Sequence, residues 1–194
     1  MQALVISDTH GILEQIYDLH KEEIPQYDII VLLGDHSTTD IKFAKMLAGR
    51  RASFIIFGNH DMPCHTTIKN MHGVLYNVNP TFTGWQGSHK YKETQYYGYT
   101  QEESLKEYKK IPKADILFAH DGPYNKNKDD AHCGLKGITK YIKKNKPKSF
   151  IFGHLHKPDQ FKLFNTQCYC TYQLSWFKFD IDGNVIEYKQ FSNI

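Results

Sequence analysis

Carboxylate, imidazole and amide side chains recur in this sequence directly after short apolar runs. The motifs are, in chain order, Ser7-Asp8-Thr9-His10, Gly34-Asp35-His36, Gly58-Asn59-His60-Asp61, His120-Asp121-Gly122-Pro123 and Gly153-His154-Leu155-His156. Asp8 and His10 are two residues apart, so both can point into the same space from an extended chain. His154 and His156 have the same spacing. Such mixed ligands suit Mn²⁺, Fe²⁺, Ni²⁺ or Zn²⁺ and do not suit an all-oxygen Mg²⁺ or Ca²⁺ site. They are too many for one ion, whereas two ions about 3.5–4 Å apart, bridged by a shared carboxylate, would use them.

The apolar runs before these motifs are typical of buried strands in a parallel sheet. They cover residues 3–6, 29–33, 54–57, 116–119 and 150–152. Segments with helical character separate most of them, at residues 12–24, 41–47, 102–110 and 135–144. Alternating strands and helices predict a layered α/β fold, in which the carboxyl ends of the strands border the ligand crevice.

Two regions depart from this alternation. Residues 74–78 and 81–85 predict a hairpin around Asn79-Pro80. The C-terminal region predicts antiparallel strands at 168–171, 176–181 and 185–191. Cys168 and Cys170 are expected to share one face of a strand as packing residues.

Length and charge restrict the classes of protein. The chain has 194 residues, 22.6 kDa and a net charge of +3, which favours one domain over residues 1–194 and gives no indication of nucleic-acid binding. No apolar run reaches the roughly 18–20 residues that span a bilayer. The first residues lack the pattern of a secretory signal, so we expect a cytoplasmic protein without a membrane partner.

Together the five motifs resemble the calcineurin-like metallophosphoesterase family, in that family's order, from residue 8 to residue 156. The resemblance implies an αββα sandwich of mixed sheets and two divalent ions, with Mn²⁺ favoured. It implies that Asp35 bridges the two metals. The other implied ligands are Asp8, His10 and His156 for the first metal, and Asn59, His120 and His154 for the second. His60 would stabilise the transition state or protonate the leaving oxygen, and Asp61 would orient His60. A metal-bound hydroxide would attack phosphorus in line.

The resemblance favours a phosphoesterase for a small phosphodiester or phosphomonoester, with a nucleotide or cyclic nucleotide preferred. No arginine follows Gly34-Asp35 closely, which argues against the protein phosphatases of the family. A nuclease of the same fold and a non-catalytic metal-binding scaffold, like family members in trafficking complexes, are the alternatives. A homo-oligomer is left open.

Several further side chains have two interpretations. His36 and His132 either contact the substrate or pack behind the site. The aromatic residues Trp85, Tyr91, Tyr96, Tyr97 and Tyr99 either stack on a base or cover the sheet edge. The remaining histidines, at positions 20, 65, 72 and 89, are assigned to the surface or to packing.

Overall fold

Two β-sheets pack face to face in a computed structural model that describes residues 1–191. The first sheet has the order β13-β12-β1-β2-β3-β4. Its strands are β1 (Gln2–Ser7), β2 (Ile29–Leu32), β3 (Ala52–Ile55), β4 (Lys69–Asn70), β12 (Gln173–Phe179) and β13 (Val185–Phe191). β1 to β4 run parallel, and β12 is antiparallel to both β1 and β13.

The second sheet has the order β10-β11-β9-β8-β5. Its strands are β5 (Phe82–Trp85), β8 (Ile116–Ala119), β9 (Ser149–Phe152), β10 (Asp159–Leu163) and β11 (Thr166–Cys170). All neighbours are parallel except the β10–β11 pair. A separate two-stranded sheet is formed by β6 (Ser88–His89) and β7 (Gly98–Tyr99).

Helices cover the outer face of each sheet. Helices α1 (Leu13–His20) and α2 (Thr38–Ala48) bury apolar side chains against the first sheet, and α4 (Lys136–Asn145) does so against the second, with α3 (Gln101–Glu107) beside α4. A third apolar cluster lies between the two sheets. The expected αββα sandwich with mixed sheets is therefore confirmed. No helix within residues 1–191 combines the length and apolar character needed to cross a membrane.

Several sequence predictions differ from the observed elements. The predicted hairpin is wrong: residues 74–78 form no strand, and Tyr76 and Phe82 make only an isolated antiparallel bridge. Phe82 and Trp85 are buried on opposite faces of β5, which pairs in parallel with β8 instead. Val74 and Val78, in contrast, are about half exposed and have no core to face. The helix predicted at 12–24 ends at His20, and β10 was not predicted.

The two neighbouring cysteines of β11 are packing residues, as expected. Cys168 and Cys170 are both fully buried in the cluster under α4. Cysteines within the described residues form no disulfide.

Candidate metal centre

The predicted ligands lie on tight turns at the carboxyl ends of β1, β2, β3, β8 and β9. Five of them have a positive φ, namely Asp8 (52°), His10 (46°), Asp35 (59°), His154 (69°) and His156 (51°). This left-handed region is uncommon for residues other than glycine. The turns also depend on a glycine, because a Cβ on Gly153 would overlap the Ser7 hydroxyl and the Asp8 carboxylate.

Asp8, His10 and His156 form the first ligand group, with ligand atoms that all lie within 4.8 Å of one another. His156 Nε2 is 3.5 Å from Asp8 Oδ1 and 3.4 Å from His10 Nε2. Asp8 is buried, whereas both histidines are exposed. The group therefore opens to solvent on its histidine side.

One oxygen of the Asp8 carboxylate accepts hydrogen bonds, and the other has no hydrogen-bond partner. Oδ2 accepts hydrogen bonds from the Ser7 hydroxyl and from the His154 backbone N–H, the latter at 2.9 Å. Oδ1 is buried without a hydrogen-bond partner. Burial opposes ionisation of Asp8, but the nearby His156 and His120 side chains and the hydrogen bonds to Oδ2 together hold its pKa well below the ordinary range. Asp8 is therefore an ionised carboxylate with one free ligand atom.

Asp35, His120 and His154 form the second ligand group and are all buried. His120 Nδ1 lies 2.8 Å from the Leu33 carbonyl, so it carries the proton and leaves Nε2 as the ligand atom. That Nε2 is 2.8 Å from Asn59 Oδ1 and 3.6 Å from Asp35 Oδ2. Asp35 Oδ2 has no hydrogen-bond partner, like Asp8 Oδ1. His120 Nε2 and the oxygen atoms of Asn59 and Asp35 thus converge on one point, as ligand atoms do around a cation.

The orientation of His154 is set by a main-chain carbonyl. His154 Nε2 lies 2.8 Å from the Ala131 carbonyl, so it donates a hydrogen bond and leaves Nδ1 as the ligand atom. Burial lowers the pKa of this histidine. A neutral imidazole is the form that binds a metal.

Asp61 supports the ligand turns through their backbone. Its carboxylate accepts hydrogen bonds from the N–H groups of Asp35 (2.9 Å), His36 (2.9 Å) and Gly58 (2.6 Å). These three bonds occupy both oxygens, and no bond joins the carboxylate to the His60 ring within the described part of the chain. Asp61 therefore positions the turns after β2 and β3, whereas the family resemblance implied that it orients His60.

Asp40 has a similar role that the sequence interpretation missed. Its carboxylate accepts bonds from the Thr9 hydroxyl (2.9 Å) and from the N–H groups of Gly11 (2.7 Å), Leu13 (3.0 Å) and Ser37 (3.0 Å). These bonds join the turn that carries Asp8 to the start of α2. The capping box from Ser37 to Asp40 could be found by its spacing, but the contact with the first turn could not.

The remaining predicted residues lie at different depths around the centre. The His60 ring is exposed and 5.6 Å from the His10 ring, and the His60 N–H donates to Asp35 Oδ1 at 2.8 Å. His36 is buried, with Nδ1 2.8 Å from the Thr9 hydroxyl. The His132 side chain is 44% exposed, and its ring lies 5.3 Å from that of His154.

Two cavities are lined by predicted site residues. One, of about 260 Å³, is lined by Asn59 and His60 together with Tyr91 and Tyr96. A larger one, of about 630 Å³, is lined by His132 and by apolar side chains of the second sheet. Asn59 Nδ2 donates a 3.1 Å hydrogen bond to the Tyr91 hydroxyl, which directs Asn59 Oδ1 toward His120. Sequence patterns assigned Tyr91 no such role.

The aromatic residues divide into two sets. Trp85 is fully buried in the core, which excludes base stacking by Trp85, and the half-buried Tyr97 stacks on Phe57 with ring centroids 4.9 Å apart. Tyr99 packs edge-on against Trp85, with ring centroids 6.2 Å apart, and is therefore a packing residue as well. Tyr91 and Tyr96 face the cavity beside His60.

The donor atoms of the centre fit divalent cations. Imidazole, carboxylate and amide ligands converge in two groups, and each group contains a buried carboxylate oxygen without a partner. An unpaired buried carboxylate oxygen is costly unless a cation neutralises it.

The sequence model of one family, described as calcineurin-like phosphoesterase, matches residues 1–158. No curated protein matches the chain. Among solved structures, TT1561 of Thermus thermophilus is similar with a TM-score of 0.63 and 17% identity, covering 98% of this chain and 99% of that one. A novel archaeal phosphodiesterase has a TM-score of 0.56 and 13% identity, covering 97% and 98%. A single mutant of Vps29 from Entamoeba histolytica has a TM-score of 0.54 and 11% identity, covering 99% and 100%. At these identities the structures establish the fold.

Proposed function

This chain belongs to the calcineurin-like phosphoesterase family, and we propose that it is a two-metal hydrolase of a small phosphodiester or phosphomonoester. The observation that carries the proposal is the pair of buried, unpaired carboxylate oxygens, Asp8 Oδ1 and Asp35 Oδ2, each within a group of metal-ligating atoms. We propose Mn²⁺ as the ion, with Fe²⁺, Ni²⁺ or Zn²⁺ as alternatives, because the ligands mix nitrogen and oxygen.

The residues that would hold the two ions follow from the ligand groups. Asp8, His10 and His156 would hold one ion, and Asn59, His120 and His154 the other, with Asp35 shared. The chemistry that two such ions supply when bound is Lewis-acid polarisation of a phosphoryl oxygen and activation of water.

His60 is the side chain best placed to transfer a proton to the leaving oxygen. Its ring is exposed, lines the 260 Å³ cavity and lies beside His10. The bond from its N–H to Asp35 Oδ1 fixes its backbone relative to the shared carboxylate. A general acid of this kind contributes roughly 10²–10⁴-fold to the rate.

The surroundings of His60 support a small substrate with an aromatic group. Tyr91, Lys92 and Tyr96 line the cavity beside His60. We propose a nucleotide or cyclic nucleotide, whose base would stack on a tyrosine while the phosphoryl group lies at the ligand groups. His132, which is exposed beside His154, is a better candidate for substrate contact than the buried His36.

Hydrolysis of two chromogenic esters tests the proposal. The metal-stripped protein is titrated with Mn²⁺, and turnover of bis-p-nitrophenyl phosphate is compared with that of p-nitrophenyl phosphate. His60→Gln is expected to lose turnover without losing Mn²⁺ binding. His65→Gln, which changes another exposed histidine of the same segment, is the matched control and is expected to be unaffected.

The same experiment separates the proposal from a scaffold without catalysis. Mn²⁺ binding with no turnover of either ester or of a panel of nucleotides and cyclic nucleotides would favour the scaffold. We retain the scaffold as an alternative because the chain is structurally similar to Vps29. Turnover that is insensitive to His60→Gln would contradict the role given to His60.

A further inference from the structure

A third group of metal-ligating side chains lies outside the centre described above, where β6 meets a 3₁₀ turn at Asp130–His132. The group consists of His89, Asp130 and Cys133, whose ligand atoms all lie within 4.8 Å of one another. It shares no residue with the other two groups. We propose that these three side chains form a separate binding site for a zinc-type divalent cation.

Two of the three ligands are brought together by the local helical geometry. In a 3₁₀ turn, side chains three residues apart eclipse one another, and Asp130 and Cys133 have this spacing. The Asp129 side chain caps the turn by accepting a 3.0 Å hydrogen bond from the His132 N–H. The pair is therefore preformed by the backbone.

His89 completes the group from the neighbouring strand. Its N–H donates to Asp121 Oδ2 at 3.0 Å, and its Nδ1 lies 3.3 Å from the Tyr99 carbonyl. In the metal-bound form His89 would carry its proton on Nδ1, donated to that carbonyl, and would present the Nε2 lone pair to the ion beside Asp130 Oδ1, which lies 3.2 Å from Nε2. When two ligand atoms each bind one tetrahedral zinc ion at about 2.0–2.2 Å, the two ligand atoms lie roughly 3.3–3.5 Å apart. The spacing of these two atoms is close to that value.

The surroundings of Cys133 suit a bound cation. The Gln101 side-chain amide nitrogen lies 3.7 Å from Cys133 Sγ and donates to the Gly134 carbonyl at 2.9 Å. Such contacts orient metal ligands. Asp121 is a fully buried carboxylate directly behind His89. Among residues 1–191, neither Asp121 nor Asp130 makes an ion pair with a lysine or arginine, so their negative charge is uncompensated by a fixed cation.

The ligand types indicate which ion would bind. Thiolate ligands select zinc-type ions over Mn²⁺ and Mg²⁺. The Asp130 side chain is 80% exposed, which gives the ion a route from solvent and leaves room for water as a fourth ligand. The site therefore differs in preference from the sulfur-free centre proposed for Mn²⁺.

An ion at this site would also act on the main centre. Ala131, between Asp130 and Cys133, accepts the hydrogen bond that fixes the orientation of His154. Tying the turn to His89 would hold that carbonyl in place, so the cation would stabilise the second ligand group without touching it.

Cobalt substitution tests the site without relying on hydrolysis. The metal-free full-length chain is titrated with Co²⁺, and the near-ultraviolet absorption is followed, because charge transfer from a thiolate to Co²⁺ needs a cysteine ligand. Neither of the other two groups contains one. The band is expected in the unaltered protein and is expected to disappear on addition of Zn²⁺.

Cysteine variants assign the band. Cys133→Ser is expected to lose the band and to bind one equivalent of Zn²⁺ fewer, whereas the exposed Cys64→Ser is the matched control and is expected to retain both. Should Cys133→Ser fail to fold, His89→Gln, which keeps the thiol, is expected to lose the same equivalent. A missing band in the unaltered protein would overturn the proposal and leave His89 and Asp130 as a simple ion pair. A band that persists in Cys133→Ser would overturn it as well. Neither result depends on whether the main centre hydrolyses an ester.

Discussion

Replacement of Asp61 by asparagine distinguishes two roles for this carboxylate. Asp61 is 6% exposed and accepts three backbone hydrogen bonds from the turns that carry Asp35 and Asn59. Asparagine has nearly the same shape, but it has no charge and only one acceptor oxygen. The asparagine oxygen can take the place of Asp61 Oδ2, which accepts from the N–H groups of Asp35 and Gly58. The His36 N–H then faces the amide nitrogen in place of Oδ1.

The size of the effect follows from these bonds. A buried N–H without a partner costs about 1–3 kcal/mol, and exchanging a charged acceptor for a neutral one weakens each remaining bond by about 1 kcal/mol. Asp61→Asn is therefore expected to lower the free energy of unfolding by about 3–5 kcal/mol. That is a large part of the roughly 5–15 kcal/mol of a typical domain.

Denaturant unfolding of the metal-free protein measures this loss. Asp18→Asn removes an exposed carboxylate that pairs with Lys21, and it is expected to change the unfolding free energy by less than about 1 kcal/mol. If Asp61 acted by orienting His60, Asp61→Asn would leave stability within about 0.5 kcal/mol of the unaltered protein, as a substitution without structural consequence does, and reduce turnover as His60→Gln does. That result would refute the positioning role.

Three further changes are expected to have measurable effects. Asp40→Asn should lower the unfolding free energy by about 2–4 kcal/mol through its buried hydrogen bonds. Burial opposes ionisation of Asp40, but hydrogen bonds from Leu13 and other donors hold its pKa below the ordinary value. The stabilisation by ionised Asp40 is complete above the unfolded pKa of about 4 and is lost as pH falls through the folded pKa. The acid denaturation curves of the unaltered protein and of Asp40→Asn should therefore converge. Mn²⁺ at a hundredfold excess over its Kd should stabilise the protein by about 2.7 kcal/mol in thermal unfolding, and Asp35→Asn should abolish most of this gain. Tyr96→Ala should raise KM for a nucleotide by roughly 5- to 150-fold, corresponding to about 1–3 kcal/mol of stacking; an equal rise for a simple aryl phosphate would contradict stacking.

The residues of the two ligand groups could be expected to lie together because each one follows closely after an apolar run. Asp8, Asp35 and His154 are placed by the strand that precedes them, and the carboxyl ends of parallel strands meet at one edge. Local sequence therefore carries most of the information about the ligand set. The strands themselves were recognisable because both of their faces are buried.

The supporting contacts could not be predicted, since they join residues far apart in sequence. The Ala131 carbonyl reaches His154 across 23 residues, and Asp40 reaches Thr9 across 31. A backbone carbonyl has no sequence signature at all. Strand β10 was missed for a different reason: its residues are exposed or half-buried at the edge of the second sheet, so they lack an apolar pattern.

Backbone strain connects the supporting carboxylates with the ligands. Five ligand residues have left-handed φ values, and for residues with a Cβ this conformation costs of order 1–3 kcal/mol each. Such strain persists only where the surrounding contacts hold the chain in place. Asp40 and Asp61 do this from behind the turns, through bonds to main-chain N–H groups. The turns that carry Asp8, His10 and Asp35 are thus held by carboxylates outside the two ligand groups, whereas the turn that carries His154 is held by Asp8 through the His154 N–H.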